Sequence, residues 1–261
     1  MLRKLTALFL ACVLALSAAS ALADDLLAAV LQRGKVIIAT EGAWAPWTYH
    51  DASDALVGFD VEVARAVAAK LGVEASFAEC PWESIFMGID QRMYDIAANG
   101  VEITEERGEK YDFTVPYAYL RTALIVRGDN DAIHAFEDLN GKRTANSAGS
   151  TYALIAEGYG ASTDVVSTLA QTLDLVLSGR ADATLNAELS FYDYMKEHPE
   201  ANLKIVALSP EASLVAIPVR KGAENAAFLA ALNGAIEALR ADGTLTAISM
   251  KYFDTDITRA E

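Results

Sequence analysis

The 261-residue chain holds 36 acidic against 21 basic residues, a formal net charge of −15. So large an acidic excess excludes nucleic acid and anionic lipid surfaces as principal partners, because both require cationic patches. It suits a freely diffusing monomer whose copies repel one another.

The start of the chain reads as an export address. Arg3 and Lys4 are basic, Leu5 to Leu16 are mostly apolar, and Ala21-Leu22-Ala23 gives a small-x-small cleavage pattern ahead of Asp24-Asp25. That apolar stretch is short for a bilayer and runs into acid, so stable membrane insertion is not expected. Lipidation at Cys12 fits poorly, since Phe9-Leu10-Ala11 precedes it and Val13 to Ala23 would remain as an apolar tail. Cleavage after Ala23 leaves residues 24–261 with 19 basic and 36 acidic residues, a net of −17. Cys80 is then the one cysteine, so no intramolecular disulfide forms although the destination, the periplasm, is oxidising. His50, His134 and His198 are scattered without ligand spacing, which predicts surface residues and no metal site. P-loop, catalytic-triad and zinc motifs are missing too, and no cofactor is expected.

Short β-rich runs alternate with helical stripes, predicting an α/β fold with mostly parallel sheets. Val36 to Ala39 reads as a buried strand. Phe59, Val63, Val67 and Leu71 repeat every four residues as a helix, which Asp60 can cap and Gly72 can end. A helix is expected over Ser84 to Met93, and strands over Asp95 to Ala98 and Leu124 to Val126. A second series then begins: a strand near Thr144 to Asn146, a helix opening at Ser147 to Thr151, and a stripe of Leu169, Leu173, Val176 and Leu177 closed by Gly179. Asp182 to Leu185, Lys204 to Leu208 and Leu214 to Val219 read as strands. Phe228, Leu232, Ile236 and Leu239 mark a long amphipathic helix, and Ile248 to Phe253 a closing one. Two α/β units with short connections imply a cleft between them, a common place for a small ligand.

The run Gly58-Phe59-Asp60-Val61-Glu62-Val63-Ala64-Arg65-Ala66-Val67-Ala68, followed by Leu71, resembles the signature of bacterial extracellular solute-binding proteins of family 3. These are polar amino-acid receptors of ABC importers. The resemblance continues through Ile103-Thr104-Glu105-Glu106-Arg107, Tyr111 to Tyr117, Leu139-Asn140-Gly141-Lys142, Gly179-Arg180-Ala181-Asp182-Ala183 and Ala241-Asp242-Gly243-Thr244-Leu245. It spans the whole chain after the export address, in order. It implies a two-lobed periplasmic-binding-protein fold of type II, with the ligand in the interlobe cleft. Residues 24–118 and 219–261 would form lobe one and residues 119–218 lobe two. Two hinge strands are implied near Ala118 to Thr122 and Ala216 to Val219, with a membrane permease as partner.

The resemblance also implies a site. Arg107 matches the family's arginine for the α-carboxylate, a planar fork suited to that group. Taken alone, an arginine after two glutamates would read as a solvated helix face. Ser150 and Thr151, at a helix start, can add hydroxyl and N–H donors; an ordinary N-cap is the plain alternative. Asn99 and Gly100 belong to the loop that leads into Glu102. The ammonium end departs from the family, because Ala187 stands where an aspartate is usual. Glu102 is the expected replacement, with Asn186 as a neutral acceptor; Glu188 is the competitor. Trp44 and Trp82 are expected as plates against the ligand side chain, Trp47 as core, and Tyr152 as the far wall. Glu41, at the mouth of the first strand, could take a second ammonium, which favours cystine or a basic amino acid. Two other readings stay open. A cyclohexadienyl-dehydratase-like enzyme would use Glu102 or Glu188 as its acid, and a sensor would need a separate membrane partner.

Overall fold

Asp25 starts the first helix, α1 (Leu26–Arg33), by accepting from Leu27 N at 2.9 Å. The chain then turns into β1 (Lys35–Thr40), and a small antiparallel sheet follows: β2 (Ala43–Trp44), β3 (Thr48–His50) and β4 (Leu56–Val57). Helix α2 (Phe59–Leu71) buries Phe59, Val63 and Val67, the four-residue repeat seen in the sequence. It ends at Gly72, whose φ of 75° only glycine adopts without strain. β5 (Glu74–Glu79), α3 (Trp82–Asp90), β6 (Ile96–Ala97), α4 (Glu105–Lys110) and β7 (Tyr111–Phe113) complete this run. This computed structural model describes residues 25–260, so the expected export segment and its cleavage at Ala23 lie outside the described residues.

The chain crosses over through β8 (Ala118–Leu120) into β9 (Thr122–Arg127). A second α/β unit follows: β10 (Arg143–Asn146), α5 (Thr151–Gly158), β11 (Ser162–Val165), α6 (Leu169–Leu177), β12 (Ala183–Ala187), α7 (Glu188–Glu197) and β13 (Leu203–Leu208). It returns through β14 (Ser213–Val215) and β15 (Pro218–Arg220) to α8 (Ala226–Ala241) and α9 (Thr244–Phe253).

Two five-stranded sheets result, ordered β5-β1-β6-β15-β7 and β11-β10-β12-β9-β13. In each, the strands joined through helices run parallel, and strands beside a crossover run antiparallel. β15 returns to the first sheet after the whole second sheet is complete. Between the sheets lies a ribbon of β8 and β14, paired Ser213↔Leu120, Leu214↔Tyr119 and Val215↔Ala118. Phe59, Phe228, Leu232, Ile236 and Leu245 are fully buried where α2, α8 and α9 cover the first sheet. Burial of side chains of this size stabilises by about 1.5–3 kcal/mol each.

Several expectations shift. The cap of α2 is Gly58 rather than Asp60, which lies inside the first turn and is used elsewhere. The helix expected over Ser84 to Met93 begins two residues earlier, behind Pro81, and ends at Asp90. The single β run expected over Leu214 to Val219 is split: its first part joins the ribbon and its last part the first sheet. The two pairings are separated by Ala216-Ile217, which belongs to neither strand. The second crossing therefore lies at Ser213–Val215, earlier than the Ala216 to Val219 expected. β5 and β11 lacked a signal because no residue of either edge strand is fully buried, and α7 because it buries only Ser190 and Phe191.

Candidate functional site

The carboxyl end of β1 and the segment after β6 meet at Asn99. Its Oδ1 accepts from Glu41 N at 2.8 Å, and its Nδ2 donates to Glu41 Oε2 at 2.6 Å. Both ends of the amide thus hold one glutamate at the mouth of the strand. Burial pushes the Glu41 carboxyl up to about 6; the Asn99 bond opposes the shift and the neighbouring Glu83 adds to it.

Gly100 follows at φ 56°, and a side chain there would collide with the Trp44 ring, 2.5 Å from a Cβ position. Its N–H donates to Asp60 Oδ2, and Tyr117 Oη donates to Asp60 Oδ1 at 2.7 Å. Asp60 thus ties the start of α2 to this loop and to the segment leading into β8. Complete burial raises its carboxyl to about 7.

Glu102 is buried, and its Oε2 has no hydrogen-bond partner. Burial raises its pKa, opposed by the hydroxyls of Ser213 and Thr151 and by the Arg107 charge. Arg107, in α4, reaches back to donate to Glu102 O at 2.9 Å and across to Gly149 O at 3.2 Å. Its guanidinium lies over the rings of Trp82 and Phe86, with centroids 5.1 and 5.2 Å away.

The second sheet supplies the opposite wall. Ser150 caps α5, accepting from Ala153 N at 3.1 Å. Thr168 and Gln171 form a capping box at the start of α6. Trp44 Nε1 donates to Asn186 Oδ1 at 3.0 Å, and Trp47 Nε1 donates to Ser190 Oγ at 3.1 Å, so two indoles of the first lobe bond the second. Trp47 is fully buried and stacks on Trp44 at 5.3 Å, as its expected core role requires. Tyr152 meets Trp44 edge-on, with centroids 6.5 Å apart.

The cleft between these walls holds about 550 Å³ of empty space, its open mouth included. Ten of the eleven expected site residues line it: Glu41, Trp44, Trp82, Asn99, Gly100, Glu102, Ser150, Thr151, Tyr152 and Asn186. The eleventh, Arg107, lies behind the wall, engaged with two carbonyls and two rings. Asn186 is present but reversed in sense. Its Oδ1 accepts from both Trp44 Nε1 and Ala187 N, so its NH₂ is left to donate and it does not offer the expected acceptor. Glu188 stays out of this wall; it lines a separate pocket beside the β8–β14 ribbon. Asn146, Ser147, Ser167, Thr168, Leu169 and Thr172 line the cleft without having been anticipated. The Thr168…Gln171 capping signature was the one signal available for that stretch. Among the described residues no cluster of metal-ligating side chains occurs, and no helix is long and apolar enough to cross a membrane.

The chain as a whole is similar to known proteins. A Haemophilus influenzae protein described as a probable amino-acid ABC transporter-binding protein is 41% identical over 224 residues, 86% of each chain. An ancestral arginine-binding protein bound to arginine superposes with a TM-score of 0.79 at 33% identity, covering 85% of this chain and 99% of that one. The L-cystine solute receptor of Neisseria gonorrhoeae, in an unliganded open conformation, gives 0.59 at 39% identity, covering 89% and 99%. The nearer sequence thus gives the poorer superposition, as expected when two lobes are set at a different angle. These relatives are described as binding proteins or receptors, not as enzymes. The family model for bacterial extracellular solute-binding proteins, family 3, matches residues 36–255. The chain belongs to that family of two-lobed receptors, which act outside the cytoplasm.

Proposed function

We propose that this protein is the periplasmic substrate-binding subunit of an amino-acid ABC importer, and that its ligand is cystine or a basic amino acid. The observation that carries the ligand class is Glu102 Oε2, a buried carboxylate oxygen in the cleft wall with no partner. A carboxylate oxygen left without a partner in such a place is costly, and an ammonium relieves that cost. Glu102 takes the α-ammonium, replacing the usual aspartate at the position of Ala187. Arg107 serves the α-carboxylate once the ligand draws it from Glu102 O and Gly149 O, together with Ser150, Thr151 and the Asn186 NH₂. Glu41 takes a second ammonium, and Trp44, Trp82 and Tyr152 pack the side chain. The name of the gonococcal receptor supports cystine within this class.

The lobes are residues 24–118 with 219–261, and residues 119–218. Sheet membership supports this division except at its return boundary: strands up to Phe113 share one sheet with β15, which starts at Pro218, and those from Thr122 to Leu208 form the other. Closure about the ribbon brings ligand and second lobe together, and ligand is favoured in the closed state by bonds to both. The protein works as a monomer, released after cleavage at Ala23, and hands its ligand to a membrane permease.

A thermal-shift screen of the twenty amino acids with cystine and ornithine tests the reading, since a tight ligand raises the melting temperature by mass action. Calorimetry on the best ligand then compares wild type with Glu102→Ala. A loss of about a hundredfold is expected for a buried charged pair. Equal affinity would remove Glu102 from the ammonium site.

A further inference from the structure

Two more buried polar atoms of the cleft residues have no partner: Asn146 Oδ1 and Tyr152 Oη, both from the second lobe. Asn146 ends β10 and is 1% exposed, so solvent does not satisfy it. Its amide nitrogen is committed, donating to Leu185 O at 2.7 Å and to Thr184 Oγ1 at 3.3 Å. The Thr184 hydroxyl hydrogen is itself given to Ala145 O at 2.7 Å, so Oγ1 can only accept from Asn146. A carbonyl also only accepts. The amide therefore cannot be turned over, and its oxygen is fixed as a bare acceptor in the wall.

That arrangement is costly for folding alone. A leucine would fill the same position without burying an unpaired oxygen. The charge of the cleft points the same way. Its lining holds two carboxylates, Glu41 and Glu102, and no Lys, Arg or His. Acceptors therefore exceed charged donors on the walls, and a ligand must bring the missing N–H groups. A neutral amide extends that demand to the second lobe without desolvating a third carboxylate.

We propose that Asn146 is a specificity-determining residue whose Oδ1 receives a second nitrogen donor of the ligand, so that the site prefers amino acids with two ammonium groups to those with one. This rests on the amino-acid reading of the same cleft. The first ammonium is held from lobe one by Glu102. The second, given a charge partner by Glu41, is also read from lobe two by Asn146, which makes its recognition part of lobe closure.

The test uses two matched probe pairs, each differing by one ammonium. L-Cystine is compared with the mixed disulfide of L-cysteine and 3-mercaptopropionate, and L-lysine with L-norleucine. Dissociation constants are measured by calorimetry for wild type, Asn146→Leu and Asn146→Asp. For the pair that binds more tightly, wild type is expected to prefer the two-ammonium member about tenfold to about a hundredfold, the range for a hydrogen bond to a charged group. In Asn146→Leu the preference, read as the ratio of the two dissociation constants, shrinks by about that factor. Asn146→Asp, which keeps an acceptor, retains the preference. Equal binding of both members by wild type overturns the proposal without any variant, even if Asn146→Leu does not fold. So does an Asn146→Leu protein that keeps the full preference, or one that weakens both members alike. If wild type binds no amino acid at all, the reading of the cleft itself fails and this proposal falls with it.

Discussion

The first lobe brings carboxylates to the cleft, Glu41 and Glu102, with a guanidinium behind them. The second brings amides and hydroxyls: Asn146, Ser147, Ser150, Thr151, Thr168 and Asn186. Buried charge needs scaffolding, and the first wall has it. Asn99 clasps Glu41 with both ends of its amide, and Asp60 pins Gly100 from beneath. Hydroxyls need less. Ser150 and Thr168 are placed by the helix starts they cap. One wall is thus prearranged for charge, and the other is a set of neutral groups that local turns can hold.

The most severe way to break the first wall is Trp47→Ala. Trp47 is fully buried against Trp44, Phe59 and Phe253. Its removal should cost about 3–5 kcal/mol, read from the denaturant midpoint. A sharper comparison uses two glycines of like conformation on opposite walls, Gly100 at φ 56° and Gly149 at φ 66°. A Cβ at Gly149 meets nothing within 4 Å, so Gly149→Ala should cost only the strain of a left-handed alanine, about 1 kcal/mol. Gly100→Ala adds a collision with the Trp44 ring and should cost about 2–3 kcal/mol, with a matching loss of ligand affinity. Equal costs in thermal unfolding would mean that the first wall is no more tightly prearranged than the second. Trp44→Phe keeps a ring but loses the N–H given to Asn186, and should weaken ligand binding by about 1 kcal/mol through the closed state.

The gentlest probe is pH. Burial raises Glu41 to about 6 and Asp60 to about 7, from ordinary values of 4.5 and 3.8. Both bind protons more tightly in the folded protein than in the unfolded chain. Their penalty is absent below about pH 4 and complete above about pH 7, so stability of the free protein should fall as pH rises through that window. Affinity should run the other way. A second ammonium needs Glu41 charged, and binding should weaken as pH drops below about 6, where that carboxyl takes up its proton. Melting curves of the free protein and calorimetry of the complex across this range should slope in opposite directions.

The sequence carried the first wall better than the second. Glu41, Trp44, Asn99, Gly100 and Glu102 sit at strand ends or in motif loops, where position along an α/β chain already implies a cleft. Asn146 was hidden because a polar residue closing a short strand looks alike whether its amide serves the sheet or a ligand. Only the bonds to Leu185 and Thr184 reveal which end is free. Asn186 was recognised but its sense was misjudged, since the donor that fixes it, Trp44, is 142 residues away. Arg107 was placed in the wall by its motif. The aromatic faces of Trp82 and Phe86 that draw it back come from a helix that the motif does not include. Asp60, read as a cap, has a buried role that depends on Tyr117, another long-range partner.

The β8–β14 ribbon has a further consequence. Leu120 and Ser213 are paired neighbours, so from the standpoint of the first sheet everything between them is one long loop with adjoining ends. Such an insertion is tied to the fold that receives it by the spacing of two strands and by the few bonds that cross the cleft, from Trp44, Trp47 and Arg107. The wall bearing Asn146 and Asn186 could be exchanged for a relative's as one block, leaving the carboxylates of the other wall untouched. Selectivity in this architecture can therefore be inherited, or engineered, in separable halves.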